Sequence, residues 1–150
     1  MSRDRGGARS RQRAREFLVK ALYQWQLAGH SAAEITAQFV TLEGFDRCDR
    51  DYFDALLPTV IDNVAALDEI IAQQAARGLE NLDAVGRAIL LLALAELKYR
   101  GDVPTKVVIN EAVELAKRYG AAESYKFVNA LLDRTARDLQ RDPKAAEAKA

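Results

Sequence analysis

The chain has 150 residues, 49% of them hydrophobic and 29% charged, with a formal net charge of zero. These are ordinary globular values, which exclude a collagen-like or disordered chain and predict a packed core in one domain, or in two small subdomains. The one cysteine, Cys48, excludes an intrachain disulfide, and with a single histidine no zinc-ligand set can be assembled.

The charge is unevenly spread. Residues 1–15 carry six arginines and one acid, Asp4, whereas the remaining residues carry 16 basic and 21 acidic side chains. A basic arm on an acidic body points to an anionic partner for the arm; a solvated tail is the plainer alternative. The longest apolar run, "AILLLALA" at 88–95, is far shorter than the roughly 20 residues that cross a bilayer. No apolar stretch follows the N-terminal charges as it would in a secretory signal. A cytoplasmic protein is expected.

Everything after the arm has helical periodicity. Residues 1–9 are expected as a flexible basic arm and Ser10 to Ala28 as the first helix, ended by Gly29. Its apolar residues recur at Ala14, Phe17/Leu18, Ala21/Leu22 and Trp25. Arg9, Arg11, Arg13 and Arg15 crowd the expected start of this helix, where the partial positive charge favours acids. Each costs roughly 0.3–1 kcal/mol there if ordered and exposed. Ser31 and Glu34 form a capping box for a second helix with Ile35, Phe39 and Leu42 on its apolar face and Gly44 at its end.

Asp49 suits the cap of a third segment that runs through Phe53, Leu56, Leu57, Val60 and Leu67 to about Arg77, with Gly78 beyond. Pro58 predicts a kink or break near 54–58, because an interior proline costs about 3 kcal/mol. Asp83 caps a helix that is apolar nearly all round at 88–95, and is therefore central and buried; Gly101 ends it. Pro104 opens a helix with an apolar row at Val108, Ala112, Leu115/Ala116 and Tyr119, ended by Gly120. The last helix, 122–140, buries Val128, Leu131, Leu132, Thr135 and Leu139. A polar tail occupies 141–150. Six or seven helices in two bundles meeting near residue 80 make an all-α protein.

Catalysis has little to work with. His30 sits in a helix connection, and Cys48 has no histidine to activate it. The Gly6–Gly7 pair lacks the strand–turn–helix of a phosphate loop. Glu111/Glu114 and Asp68/Glu69 fit solvated helix faces. No cofactor, metal or catalytic residue is expected. Binding offers more. Arg11 and Arg15 stand four apart, and Val19 and Tyr23 continue that row. Guanidinium groups grip phosphate or stack on bases, and a tyrosine ring is a stacking face. Core-edge packing of Tyr23 is an equal alternative. Lys126, Phe127 and Asn129 form a second cluster at the start of the last helix, where packing of Phe127 is the plainer reading.

Three blocks, "RAREFLVKALYQWQL" (13–27), "DVPTKVVINEAVELAKRYG" (102–120) and "SYKFVNALLD" (124–133), closely resemble the transcription antitermination factor NusB family. The resemblance covers residues 10–137, with the blocks in family order and spacing. It implies an all-α fold of two small perpendicular bundles, with residues 10–140 forming one RNA-binding domain, and no catalytic activity. It implies binding of the boxA element of nascent ribosomal RNA leader transcripts together with the ribosomal protein NusE. That assembly, with RNA polymerase and other Nus factors, makes the polymerase resistant to termination.

By position, Arg11, Arg13, Arg15, Tyr23, Lys126 and Phe127 match the family's RNA-binding residues; Gln12, Glu123, Ser124 and Asn129 are candidate RNA or partner contacts. Phosphate would then compensate the positive helix start. Ala130, where the family often has glycine, Leu91, where it commonly has arginine, and Pro58 depart from the pattern. The alternative is a non-catalytic ribosomal RNA-binding domain related to that of rRNA cytosine methyltransferases, which is followed in those chains by a catalytic domain.

Overall fold

The computed structural model describes residues 2–75 and 82–141, with side chains from Gly7 to Gln74 and from Leu82 to Arg141. Among them are seven α-helices and no strand: α1 (Ser2–Ala28), α2 (Ala32–Phe39), α3 (Arg50–Asp62), α4 (Val64–Ala75), α5 (Ala84–Tyr99), α6 (Thr105–Tyr119) and α7 (Ser124–Asp138). The chain divides into two compact units, 1–64 and 65–150. The expected junction near 80, the helix end at Arg77–Gly78 and residues 142–150 lie outside the described residues.

In the first unit α1 is longer than its periodicity implied. It starts at Ser2, so residues 2–9, expected as a flexible arm, continue the helix. Ser10 does not cap it: its hydroxyl donates to the Gly7 carbonyl (3.1 Å), back towards the N-terminus. Extending an existing helix fixes one residue per added bond, which is far cheaper than nucleating one. The capping box of α2 is present, with Glu34 N–H on Ser31 Oγ (3.1 Å) and Ser31 N–H on Glu34 Oε1 (2.8 Å). These bonds hold the Glu34 carboxyl below its ordinary range. α2 ends at Phe39 rather than at Gly44, so Leu42 leaves the apolar face and is exposed. Gly44 instead starts a 3-10 turn, Phe45–Arg47, at a φ of 88° that favours glycine.

Four rings close this unit. Phe17 meets Phe45 edge-on at 5.1 Å and Phe39 at 6.3 Å, and Phe53 meets Phe45 at 5.0 Å and stacks on Phe39 at 6.0 Å. Such pairs add about 0.5–1.5 kcal/mol each beyond the area they bury. α1, α2, the 3-10 turn and α3 each contribute one ring. Asp49 caps α3 as expected, accepting from Tyr52 N–H (3.1 Å). Pro58 does not break α3, which runs on to Asp62. Leu56, Leu57 and Val60 around it are fully buried, and that packing offsets one missing backbone bond. The break falls at Asn63, whose side-chain amide donates to the Thr59 carbonyl (2.8 Å) and so satisfies a terminal acceptor of α3.

The second unit is built on α5. Asp83 caps it by accepting from Gly86 N–H (2.7 Å), and residues 88–97 are all buried. α6 and α7 pack on it and on each other through Val108, Ala112, Leu115, Val128, Leu131 and Leu132. Pro104 stands at the N-cap of α6, just outside the first turn. Leu139 and Tyr119, expected in apolar rows, are exposed because both sit at helix ends. Leu91 is wholly buried, so the arginine common in the family would here meet core rather than solvent. On α4, Asp68 takes a two-pronged ion pair from Arg87 (2.6 and 3.0 Å), and Gln74 accepts from Arg134 (2.7 Å).

Arg141, expected in the tail, is a structural residue. Gln140 adopts a left-handed φ of 53° and Arg141 N–H reaches the Ala136 carbonyl (2.9 Å), the six-to-one bond of a Schellman motif. The guanidinium then donates to the carbonyls of Glu96, Leu97, Arg100 and Val103 at 2.7–2.9 Å. It thereby caps α5 with a side chain from the far end of the unit.

This packing sets two expectations for stability. Leu92, 2% exposed in α5, should cost about 2–5 kcal/mol as Leu92→Ala in chemical denaturation. Arg141→Ala should cost about 2–4 kcal/mol, because four carbonyls lose a charged donor, and should speed amide exchange in the last turn of α5. Arg141→Lys should recover only part of this, since an ammonium cannot reproduce the planar fork.

Candidate nucleic-acid interface

The arginines of α1 do not stand at its start. Arg9, Arg11, Arg13 and Arg15 lie beyond the first turn of a helix that opens at Ser2, and the macrodipole acts mainly within that turn. The expected dipole penalty therefore does not apply. Their surroundings also differ from one another. Arg9 is exposed, Arg11 and Arg13 are half-buried, and Arg15 is 3% exposed.

Tyr52 covers two of them, Arg11 and Arg15. Its ring, 2% exposed on the first turn of α3, lies under both Arg11 and Arg15, with guanidinium carbons 4.2 and 5.5 Å from its centroid. Cation–ring attraction of this kind is worth about 0.5–1 kcal/mol at exposed sites and more when desolvated. Arg11 also pairs with Asp49, Nε to Oδ2 at 3.5 Å. The Asp49 backbone N–H donates to the Ser10 carbonyl (2.9 Å), which ties the cap of α3 to α1 beside this pair.

The row Arg11, Arg15, Val19, Tyr23 is therefore not an open edge. Arg15 and Val19, 4% exposed, turn into the unit, while Tyr23 emerges at 39%. Steps of four residues drift by about 40° each on a helix of 3.6 residues per turn, which carries the row across the buried face. The solvent row is Arg9, Gln12, Glu16, Lys20, Tyr23 and Leu27, with Glu16 half-buried and the others exposed. Lys20 was missed by sequence reasoning, although its three-residue spacing from Tyr23 was a usable signal. This row sets cations and one ring along a single face.

In the second unit the turn between α6 and α7 shapes the other cluster. Gly120 is required there, because a Cβ would approach Ser124 Oγ to 2.5 Å and the Ala116 carbonyl to 2.8 Å. Glu123, at a φ of 70°, precedes α7 without capping it through its side chain. Lys126 is exposed and pairs with Glu123 (2.7 Å), and Asn129 is exposed. Phe127 is half-buried, outside the core formed by Val128 and Leu131. Ser124 turns its hydroxyl inward, towards Gly120. Tyr125 lies beneath Lys117, whose Nζ is 5.1 Å from the ring centroid. Lys126, Phe127 and Asn129 are thus brought to one corner of this unit, while Arg11, Gln12, Arg13, Arg15 and Tyr23 all belong to the first.

Acid–base or nucleophilic chemistry finds no support in these groups. Burial pushes the Cys48 thiol up to about 11, so it stays protonated near neutrality. Among the described residues no group of three or more His, Cys, Asp or Glu could hold a metal, and no helix is long and apolar enough to cross a membrane.

The model of the NusB family matches residues 12–137. Transcription antitermination protein NusB of Alcanivorax borkumensis is 49% identical over 131 residues, 87% of either chain. NusB of Paraburkholderia xenovorans is 46% identical over 140 residues, 93% of this chain and 97% of the relative. The solved structure of T. maritima NusB superposes with a TM-score of 0.70 at 33% identity, over 85% of this chain and 90% of that one. With a helical fold, a cation-lined α1 and relatives of matching length and sequence, the chain belongs to the NusB family.

Proposed function

We infer that this protein is a transcription antitermination factor that binds single-stranded RNA, specifically the boxA element of ribosomal RNA leader transcripts. It does so together with the ribosomal protein NusE, in a cytoplasmic complex with RNA polymerase and other Nus factors. The observation that carries the RNA reading is the exposed row of α1, where Arg9, Gln12, Lys20 and Tyr23 share one face. Cations along such a face track phosphates, and an exposed ring accepts an unstacked base. The names of the relatives supply the antitermination role.

The two clusters have different tasks in this reading. The α1 cations meet phosphates, which every RNA offers, so they give affinity without selecting a sequence. Selection requires contacts with unstacked bases, and Tyr23 and Phe127 are the aromatic candidates, with Lys126 beside the second. Arg15, stacked over Tyr52 and 3% exposed, holds α1 and α3 together, so its contribution to RNA is to keep Arg11 in place. NusE supplies further contacts on the same strand. Linkage then requires that RNA tighten NusE binding by the factor by which NusE tightens RNA binding.

Two measurements test this assignment. Arg13→Ala with Lys20→Ala should weaken binding of single-stranded RNA and shrink the slope of log K against log salt by about 0.7 for each phosphate no longer neutralised. The helical circular dichroism should not change. An unaltered slope would take Arg13 and Lys20 out of the interface. Phe127→Ala should lower the preference for boxA over a scrambled strand, since stacking is worth roughly 1–3 kcal/mol per base. Thermal unfolding measured alongside separates loss of base stacking from loss of packing: reduced stability with full boxA preference assigns Phe127 to packing.

A further inference from the structure

Arg11 already has an anion beside it. The Asp49 carboxylate stands 3.5 Å from Arg11 Nε through Oδ2, while its Oδ1 is engaged by Tyr52 N–H at 3.1 Å. The residue is further fixed by its own N–H on the Ser10 carbonyl. Three interactions with different owners therefore hold Asp49 where it is, and two of them do not involve Arg11. The arginine's support is likewise independent of the carboxylate, since the buried Tyr52 ring lies 4.2 Å below the guanidinium.

The pair is also loose. Arg50 grips Asp54 with one nitrogen on both carboxylate oxygens (2.9 and 3.0 Å), and Arg87 grips Asp68 with two (2.6 and 3.0 Å). Arg11 meets Asp49 at 3.5 Å, longer than either, while the other carboxylate oxygen caps α3. About a third of the Arg11 side chain and a quarter of that of Asp49 remain open to solvent, so a second anion can approach. A phosphodiester carries one negative charge and two unbridged oxygens, the same acceptor chemistry in a form that arginine can grip with two prongs.

We propose that Asp49 occupies the Arg11 phosphate position in the free protein and competes with RNA for it. Arg11 exchanges the carboxylate for a phosphate when RNA binds, and Tyr52 holds the guanidinium in place throughout. This rests on the reading that α1 binds RNA. It makes Asp49 a residue that limits affinity, and Tyr52 a positioning residue that acts through Arg11. Asp49 touches no base, so its effect is on strength and not on sequence preference.

The test is a gain of affinity, which a damaged fold does not produce. Asp49→Asn keeps an acceptor for Tyr52 N–H, since asparagine caps helices as well as aspartate, and removes only the competing charge. Fluorescence anisotropy with labelled single-stranded RNA, one strand carrying boxA and one scrambled, should give about two- to fivefold tighter binding of both, the scale of a modest ion pair. The salt slope should change by less than the roughly 0.7 of a whole phosphate contact, because Arg11 neutralises the same phosphate in both proteins and only the freed carboxylate is lost. Asp51→Asn, an exposed neighbour with the same charge change, controls for net charge and should alter affinity by much less.

In an Arg11→Ala background Asp49→Asn should give no more than the Asp51→Asn change. Equal effects of Asp49→Asn and Asp51→Asn in the unaltered background would overturn the competition while leaving α1 as the RNA face. Weaker binding by Asp49→Asn with unchanged thermal unfolding would overturn it too, because the carboxylate would then be orienting Arg11. If Arg11→Ala binds RNA like the parent chain, Arg11 is not an RNA ligand and the proposal falls. If Arg13→Ala with Lys20→Ala is also silent, the α1 reading falls with it.

Discussion

A guanidinium brought out of water must be given something in return, and in the first unit that something is the ring of Tyr52. It lies 2% exposed under Arg11 and Arg15, and helps α1 to turn a charged edge towards α3. The four phenylalanines beside it fix where α3 runs, so they also fix where the ring lies. Core packing and charge placement are in this way one arrangement. The apolar cluster sets the helices, α3 presents the ring and the capping carboxylate, and these set the angle at which Arg11 meets solvent.

That arrangement limits how α1 can serve as a binding surface. A packed helix offers an outside partner only the face it does not bury, and on α1 the described part of that face runs from Arg9 to Leu27. The two cations described on that face, Arg9 and Lys20, stand apart along the axis with Glu16 between them, which suits an extended strand better than a compact anion. In the second unit the corner at Gly120 gathers its polar groups differently, around a turn in which backbone and Ser124 approach closely enough to exclude a side chain.

Most of the helices were legible because periodicity and caps are local. Ser31 with Glu34, Asp49 and Asp83 each lie within three residues of the amide they satisfy, and the apolar run at 88–95 identified the buried helix. What was not legible depended on residues far apart in the chain. Nothing near Arg15 shows that Tyr52 will cover it, so a buried side chain looked like an open one. Pro58 carries a local penalty, but Leu56, Leu57 and Val60 offset it through packing that the local sequence does not reveal. The start of α1 at Ser2 was not legible, because the apolar period that marks the helix begins only at Ala14.

The link from Arg141 to the end of α5 has a consequence for how the chain is made. Synthesis proceeds from the N-terminus, so residues 1–64 emerge with every ring of their aromatic cluster already present and can close as a unit while translation continues. The second unit lacks that freedom. The carbonyls of Glu96, Leu97, Arg100 and Val103 lack the guanidinium until residue 141 has been added and has left the ribosome. Its most apolar helix thus waits longest for its final partner. The nascent chain passes through an interval in which the first unit can be closed while the second, rich in leucine, still lacks its last partner.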